Sequence, residues 1–117
     1  MGVDLTLLPE SFGGDERPYS FHALRLDRDR ELWREIEQSG LEVAVGRPVT
    51  CHFARTPDGE TCYGSIEETP YGTPLTKMMA GQIADIMSAR PQSRNNQWIL
   101  AALNAMPRDL PVYLYWS

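Results

Sequence analysis

The chain predicts a two-layer α+β fold, in which an antiparallel or mixed sheet is covered on one face by about three helices in the order ββαββααβ. Three observations predict it. Apolar residues alternate near both ends, at Val3, Leu5 and Leu7 and again at Val112, Leu114 and Trp116. Between them, three stretches repeat their apolar residues at three- and four-residue spacing, and a Pro-Asp-Gly turn separates two β-prone runs. A period of two marks a half-buried strand and a period near 3.6 an amphipathic helix. With 117 residues, of which 42% are hydrophobic, the chain can bury one core. Residues 1–117 are therefore read as a single domain.

The first strand runs from Val3 until Pro9 stops it. A charged, glycine-rich stretch, Glu10 to Pro18, leads to a second strand from Tyr19 to Leu26, which the β-propensity of its residues supports. Asp27 can cap a helix from Arg28 to Ser39, whose Leu32, Trp33 and Ile36 fall on one stripe. Its Arg28/Glu31, Glu31/Arg34 and Arg34/Glu37 pairs have the spacing of a charged outer face, and Gly40 supplies the stop. Residues 41–48 are ambiguous. A hairpin follows, Val49 to Arg55 and Thr61 to Ile66, joined by Thr56-Pro57-Asp58-Gly59-Glu60. Thr73 and Pro74 suit the N-cap and first turn of a second helix that reaches Ala89, with Leu75, Met78, Met79, Ile83, Ile86 and Met87 inward. A third helix spans about Ser93 to Met106, with Trp98, Ile99, Ala102, Leu103 and Met106 on its apolar side. The short break between these helices predicts an antiparallel pair. In the closing strand the alternation puts Tyr113 and Tyr115 on the face opposite Val112, Leu114 and Trp116.

The composition excludes several classes of function. The longest apolar run, Trp98 to Leu103, is far too short for a membrane span, and no basic start with an apolar stretch marks a secretory signal. Gly2 fits the loose pattern for lipidation, but the same residues alternate as a strand should and no polybasic patch follows. A cytoplasmic protein with no membrane partner is expected. Sixteen acidic against eleven basic residues give a net charge of -5, which argues against direct binding to nucleic-acid backbones. The imbalance is regional, since residues 56–89 carry five acids against Lys77 alone.

Cys51 and Cys62 flank the hairpin turn. If Thr56 faces Glu60, then Ala54 faces Cys62 and Ser65 faces Cys51, and alternation places the two sulfurs on opposite faces, out of reach of a disulfide. His22, His52 and the two cysteines lack the spacing of a zinc site, and neighbouring strand residues Cys51 and His52 point to opposite faces. The carboxylate pairs Asp15-Glu16, Asp58/Glu60 and Glu67-Glu68 sit in polar, turn-like stretches where ordinary pKa values are expected. The chain contains no phosphate loop, dinucleotide fingerprint or nucleophile elbow. No catalytic residue, cofactor or metal is predicted.

Two surfaces suit a partner. In the loop from Glu67 to Thr73, Tyr71 stands between prolines beside Glu67 and Glu68, a mixture fitted to an amphipathic contact; the alternative is that Tyr71 packs over the core. Arg90, Arg94, Asn95 and Asn96 gather near the start of the third helix, where an anion such as phosphate is favoured; the alternative is a polar interhelical turn.

The segments Asp4-Leu5-Thr6-Leu7-Leu8-Pro9, Glu60-Thr61-Cys62-Tyr63-Gly64, Thr69-Pro70-Tyr71-Gly72-Thr73-Pro74-Leu75 and Val112-Tyr113-Leu114-Tyr115-Trp116 resemble small proteins encoded by bacteriophages and prophages. The resemblance carries no assigned activity and implies context only. It suggests an accessory protein that binds a host or phage protein, or an inhibitor of a bacterial defence system. The expected function is a non-enzymatic protein-binding module; the alternative is a small enzyme or ligand sensor that takes a phosphorylated molecule near Arg90 to Asn96.

Overall fold

The computed structural model describes residues 3–11, 19–20, 22–55 and 61–117, with backbone alone for residues 19, 52–55 and 61–65. The two alternating segments find each other. Strand β1 (Leu5–Pro9) pairs antiparallel with β8 (Pro111–Trp116), Leu5 opposite Trp116 and Leu7 opposite Leu114. Short strands β3 (Leu24–Arg25) and β4 (Val43–Ala44) and the four-residue β7 (Thr76–Met79) complete an antiparallel sheet, in the order β3-β1-β8-β7-β4 among the described residues.

One face of this sheet carries the helices α1 (Arg30–Gln38), α2 (Ala80–Ser88) and α3 (Arg94–Asn104). Leu5, Leu7, Met78, Val112 and Leu114 from the strands meet Leu32, Trp33 and Ile36 of α1, Ile83 and Met87 of α2, and Ile99 and Leu103 of α3 in one buried cluster. The α+β class is the one the sequence predicts. The other face is used too. Leu8 and Tyr113, one residue out of phase with the helix-side set, join Val49, Cys51 and Leu75 in a second core. Val49 and Cys51 belong to β5 (Val49–Arg55), which with β2 (Tyr19–Ser20) and β6 (Thr61–Ile66) forms a second sheet, ordered β2-β5-β6.

Four local expectations are corrected. The stretch expected as one strand, Tyr19 to Leu26, serves two sheets: β2 runs parallel to β5, whereas β3 pairs with β1. Propensity identifies β-prone residues but not their partner. The cap of α1 is Asp29, whose Oδ1 accepts from the Leu32 amide at 3.1 Å, and Asp27 anchors a different helix. The second helix begins only at Ala80, because Thr76 to Met79 is strand β7. In an extended chain Leu75 and Met78, three apart, face opposite ways, and they enter the two different cores. Trp98, expected on the apolar side of α3, is 68% exposed.

The hairpin strands have the expected bounds, and Ala54 faces Cys62 as predicted. A bulge between Cys51 and Ala54 then shifts the ladder by one residue, so Cys51 faces Gly64 and not Ser65. The alternation argument that separated the two sulfurs therefore fails at Cys51; the Cys62 side chain and the turn Thr56 to Glu60 lie outside the described residues. Cys51 is a free, fully buried thiol. Among the described residues no helix is long and apolar enough to cross a membrane.

Candidate functional site

The loop from Glu67 to Leu75 is closed by its own backbone. The Leu75 amide donates to the Glu67 carbonyl at 3.0 Å, Glu68 and Pro74 form a bridge, and the Thr69 amide donates to the Thr73 carbonyl at 2.9 Å. At the tip Gly72 takes φ +78, a left-handed conformation that favours glycine, and its amide donates to the Thr69 carbonyl at 2.9 Å. The Thr69 hydroxyl, on a buried residue, lies 2.7 Å from that of Thr73 and accepts from the Tyr71 amide at 3.3 Å. These bonds hold Tyr71 out from the body, 56% exposed, so it does not pack over the core. Glu67 and Glu68 are exposed as well.

Tyr71 forms one side of an open groove of about 560 Å³. Trp116, at the end of β8, lines it as well, with Val3, Ala44 and Pro74 contributing apolar surface beside Thr73 and Thr76. Two carboxylates, Glu37 from the last turn of α1 and Glu42 just before β4, line it too. The indole of Trp116 is fixed from two directions: its Nε1 donates to Glu42 Oε1 at 3.2 Å, and its ring meets Trp33 edge to face at 5.8 Å. Trp33 is itself tied down, donating from Nε1 to the Val3 carbonyl at 2.8 Å. Burial pushes the Glu42 carboxyl above its ordinary value; the Trp116 hydrogen bond pulls it back in part, and the charge of Glu37 adds to the rise.

The chain beside Val3 is clamped by charge. Asp4 accepts from Arg28 Nε and Arg25 Nη2, each at 2.7 Å, and its backbone exchanges hydrogen bonds with Ser117. The hydrogen bond from Arg28 is the main cause that holds the Asp4 carboxyl below its ordinary value; burial opposes it, and the charges of both arginines add to the lowering. A carboxylate with a depressed pKa in the folded state contributes stability above its unfolded pKa of about 3.9, and loses that contribution as pH falls through the folded value. Asp4→Asn is therefore expected to be less stable than the parent at pH 7, with the difference shrinking as pH falls through the lowered folded-state pKa, as followed by urea unfolding at each pH. A difference independent of pH would show that the carboxylate's charge is not what matters. The i,i+3 charge pairs suggested by the spacing in α1 are replaced by tertiary ones, Arg28 with Asp4 and Glu31 with Arg90.

The polar cluster at the α2–α3 turn is bound within the fold. Arg90 Nη2 contacts Asp29 Oδ1 at 3.2 Å and Glu31 Oε2 at 3.0 Å. Asn96, 1% exposed, accepts at Oδ1 from the Asp27 amide at 2.7 Å and donates from Nδ2 to the Asp27 carbonyl at 3.3 Å. Asn95 donates to the Arg25 carbonyl at 3.1 Å, and Ser93 caps α3 through the Asn96 amide while donating to Asp27 Oδ2 at 2.7 Å. Arg94 is exposed, and its side chain has no hydrogen bond or ion pair among the described residues. The cluster joins the start of α3 to the segment that leads into α1, and the structure places it apart from the lining of the Tyr71 groove. Burial also pushes the Cys51 thiol up to about 11, which keeps it neutral near pH 7.

Of the predicted site residues, the groove lining contains Tyr71 alone. Its partners Trp116, Glu42 and Glu37 were missed because they lie far from Tyr71 in the chain. One signal was present: a tryptophan ending an alternating strand must find an acceptor for its indole N–H if it is covered. No family model, curated protein or solved structure matches the chain.

Proposed function

We propose that this chain is a protein-binding module without catalytic activity, and that the groove between Tyr71 and Trp116 is its contact surface. The observation that carries this reading is the exposed Tyr71, held by a hydrogen-bonded loop beside an open, aromatic-lined groove. A large aromatic carried on a loop whose backbone is already hydrogen-bonded costs less chain ordering on binding, which favours it as an interface anchor. The net charge of -5 favours a protein partner over a nucleic-acid backbone. The phage-like segments supply a setting: a cytoplasmic phage or prophage accessory protein that engages a host or phage protein, with inhibition of a bacterial defence system as one version.

A tagged pull-down from bacterial lysate, with and without nuclease, tests the reading when parent, Tyr71→Ala and Arg94→Ala chains are run together. The expected result is one protein enriched regardless of nuclease, retained by Arg94→Ala, and recovered at least about tenfold less by Tyr71→Ala. Loss on nuclease treatment, or equal recovery by Tyr71→Ala, would sink it. Thermal stabilisation by a phosphorylated compound that Arg94→Ala abolishes would favour the ligand-sensing alternative.

A further inference from the structure

We propose that the groove takes a cationic side chain, a lysine or arginine presented by the protein partner, with Glu42 and Glu37 as counter-charges and Tyr71 and Trp116 as aromatic contacts. This rests on the binding-module reading and names the chemistry of its occupant.

Charge complementarity carries the inference. Among the described residues, the lining of the groove holds two carboxylates and no lysine or arginine. Glu42 is half-buried; the Trp116 indole that hydrogen-bonds it is a neutral donor, and among the described residues no cation pairs with it. Burial and the neighbouring Glu37 both disfavour the Glu42 charge, and a cation beside the two carboxylates offsets their repulsion and favours the ionised form. The nearby guanidinium of Arg28, whose field reaches Tyr71, is engaged by Asp4 and is not part of the lining. The other lining groups suit the same ligand. Aromatic faces attract guanidinium and ammonium groups, and the apolar surface of Val3, Ala44 and Pro74 can cover the aliphatic stem of either side chain. A carboxylate-bearing or phosphorylated ligand would meet only repulsion from Glu37 and Glu42.

The test uses N-acetyl-arginine amide and its neutral isostere N-acetyl-citrulline amide at millimolar concentration, read by the indole N–H resonance of Trp116 in a nitrogen-15 labelled sample. The expected result is a saturable shift with the arginine probe, at least tenfold weaker binding with the citrulline probe, and a comparable loss in Glu42→Gln. Glutamine keeps an acceptor for the Trp116 indole, so this variant should preserve the fold, and Glu37→Gln gives a second, exposed site at which the charge can be removed. No saturable shift, or equal response to both probes, overturns the proposal. The pull-down separates it from the broader reading. A partner lost with Tyr71→Ala but retained by Glu42→Gln and Glu37→Gln leaves the module standing and removes its cationic occupant. An arginine-selective groove without a Tyr71-dependent protein partner supports the cation site and removes the module.

Discussion

Leu114→Ala is expected to destabilise the protein by about 2–5 kcal/mol, a large share of the 5–15 kcal/mol typical of a domain. Leu114 is fully buried, lies on the strand that joins β1 to β7, and belongs to the cluster in which all three helices meet the sheet. Truncation removes the transfer free energy of three carbon atoms and leaves a cavity that strands paired on both sides cannot collapse to fill. Urea unfolding should show a lower midpoint with an unchanged slope, since the surface exposed on unfolding hardly changes. Trp98→Ala is the comparison. Its side chain is 68% exposed, and the change should lie within about 0.5 kcal/mol of the parent. A large loss at Trp98 or a small one at Leu114 would contradict the packing described.

Asn96→Ala should cost about 1–3 kcal/mol, because it removes a buried side chain and strips the Asp27 amide and carbonyl of their side-chain partner at a part-buried site. Asn96 is 1% exposed, and its two bonds reach 69 positions back along the chain to tie the start of α3 to the segment before α1. Arg94→Ala, at an exposed position two residues earlier, is expected to change stability by less than about 0.5 kcal/mol. Thermal unfolding of the two variants side by side checks this. Their contrast also bears on function: a large effect at Asn96 and none at Arg94 means that the polar cluster works as an interhelical fastening, whereas equal small effects would return its asparagines to the pool of ligand-binding candidates.

The candidate site divides along similar lines. Tyr71 could be singled out because prolines, a glycine and acids around an aromatic residue mark a structured, exposed loop. That Trp116, Glu42 and Glu37 stand beside it was not legible, since three separate elements bring them there. Arg90 shows the reverse. A base at a helix-to-helix turn reads as an anion contact, yet Asp29 and Glu31 neutralise it from α1, and no local pattern announces a pairing about sixty residues away.

Local pattern by itself determined the α+β class, the two terminal strands, the hairpin bounds, the approximate place of α3 and the division of β8 into two faces, because each follows from turn residues or from which residues a strand or helix turns the same way. Tertiary structure alone decided the rest. Leu75, Met78 and Met79 have helical spacing, yet Thr76 to Met79 is a strand, and Leu75 and Met78 enter separate cores. Tyr19 to Leu26 split because two sheets compete for its backbone hydrogen bonds. Trp98 turned outward while Asn96 turned in, since Asp27 offers Asn96 both a donor and an acceptor, and two residues about 200° apart around a helix cannot face the same core. The partners available in space, absent from any local window of sequence, settled each of these choices.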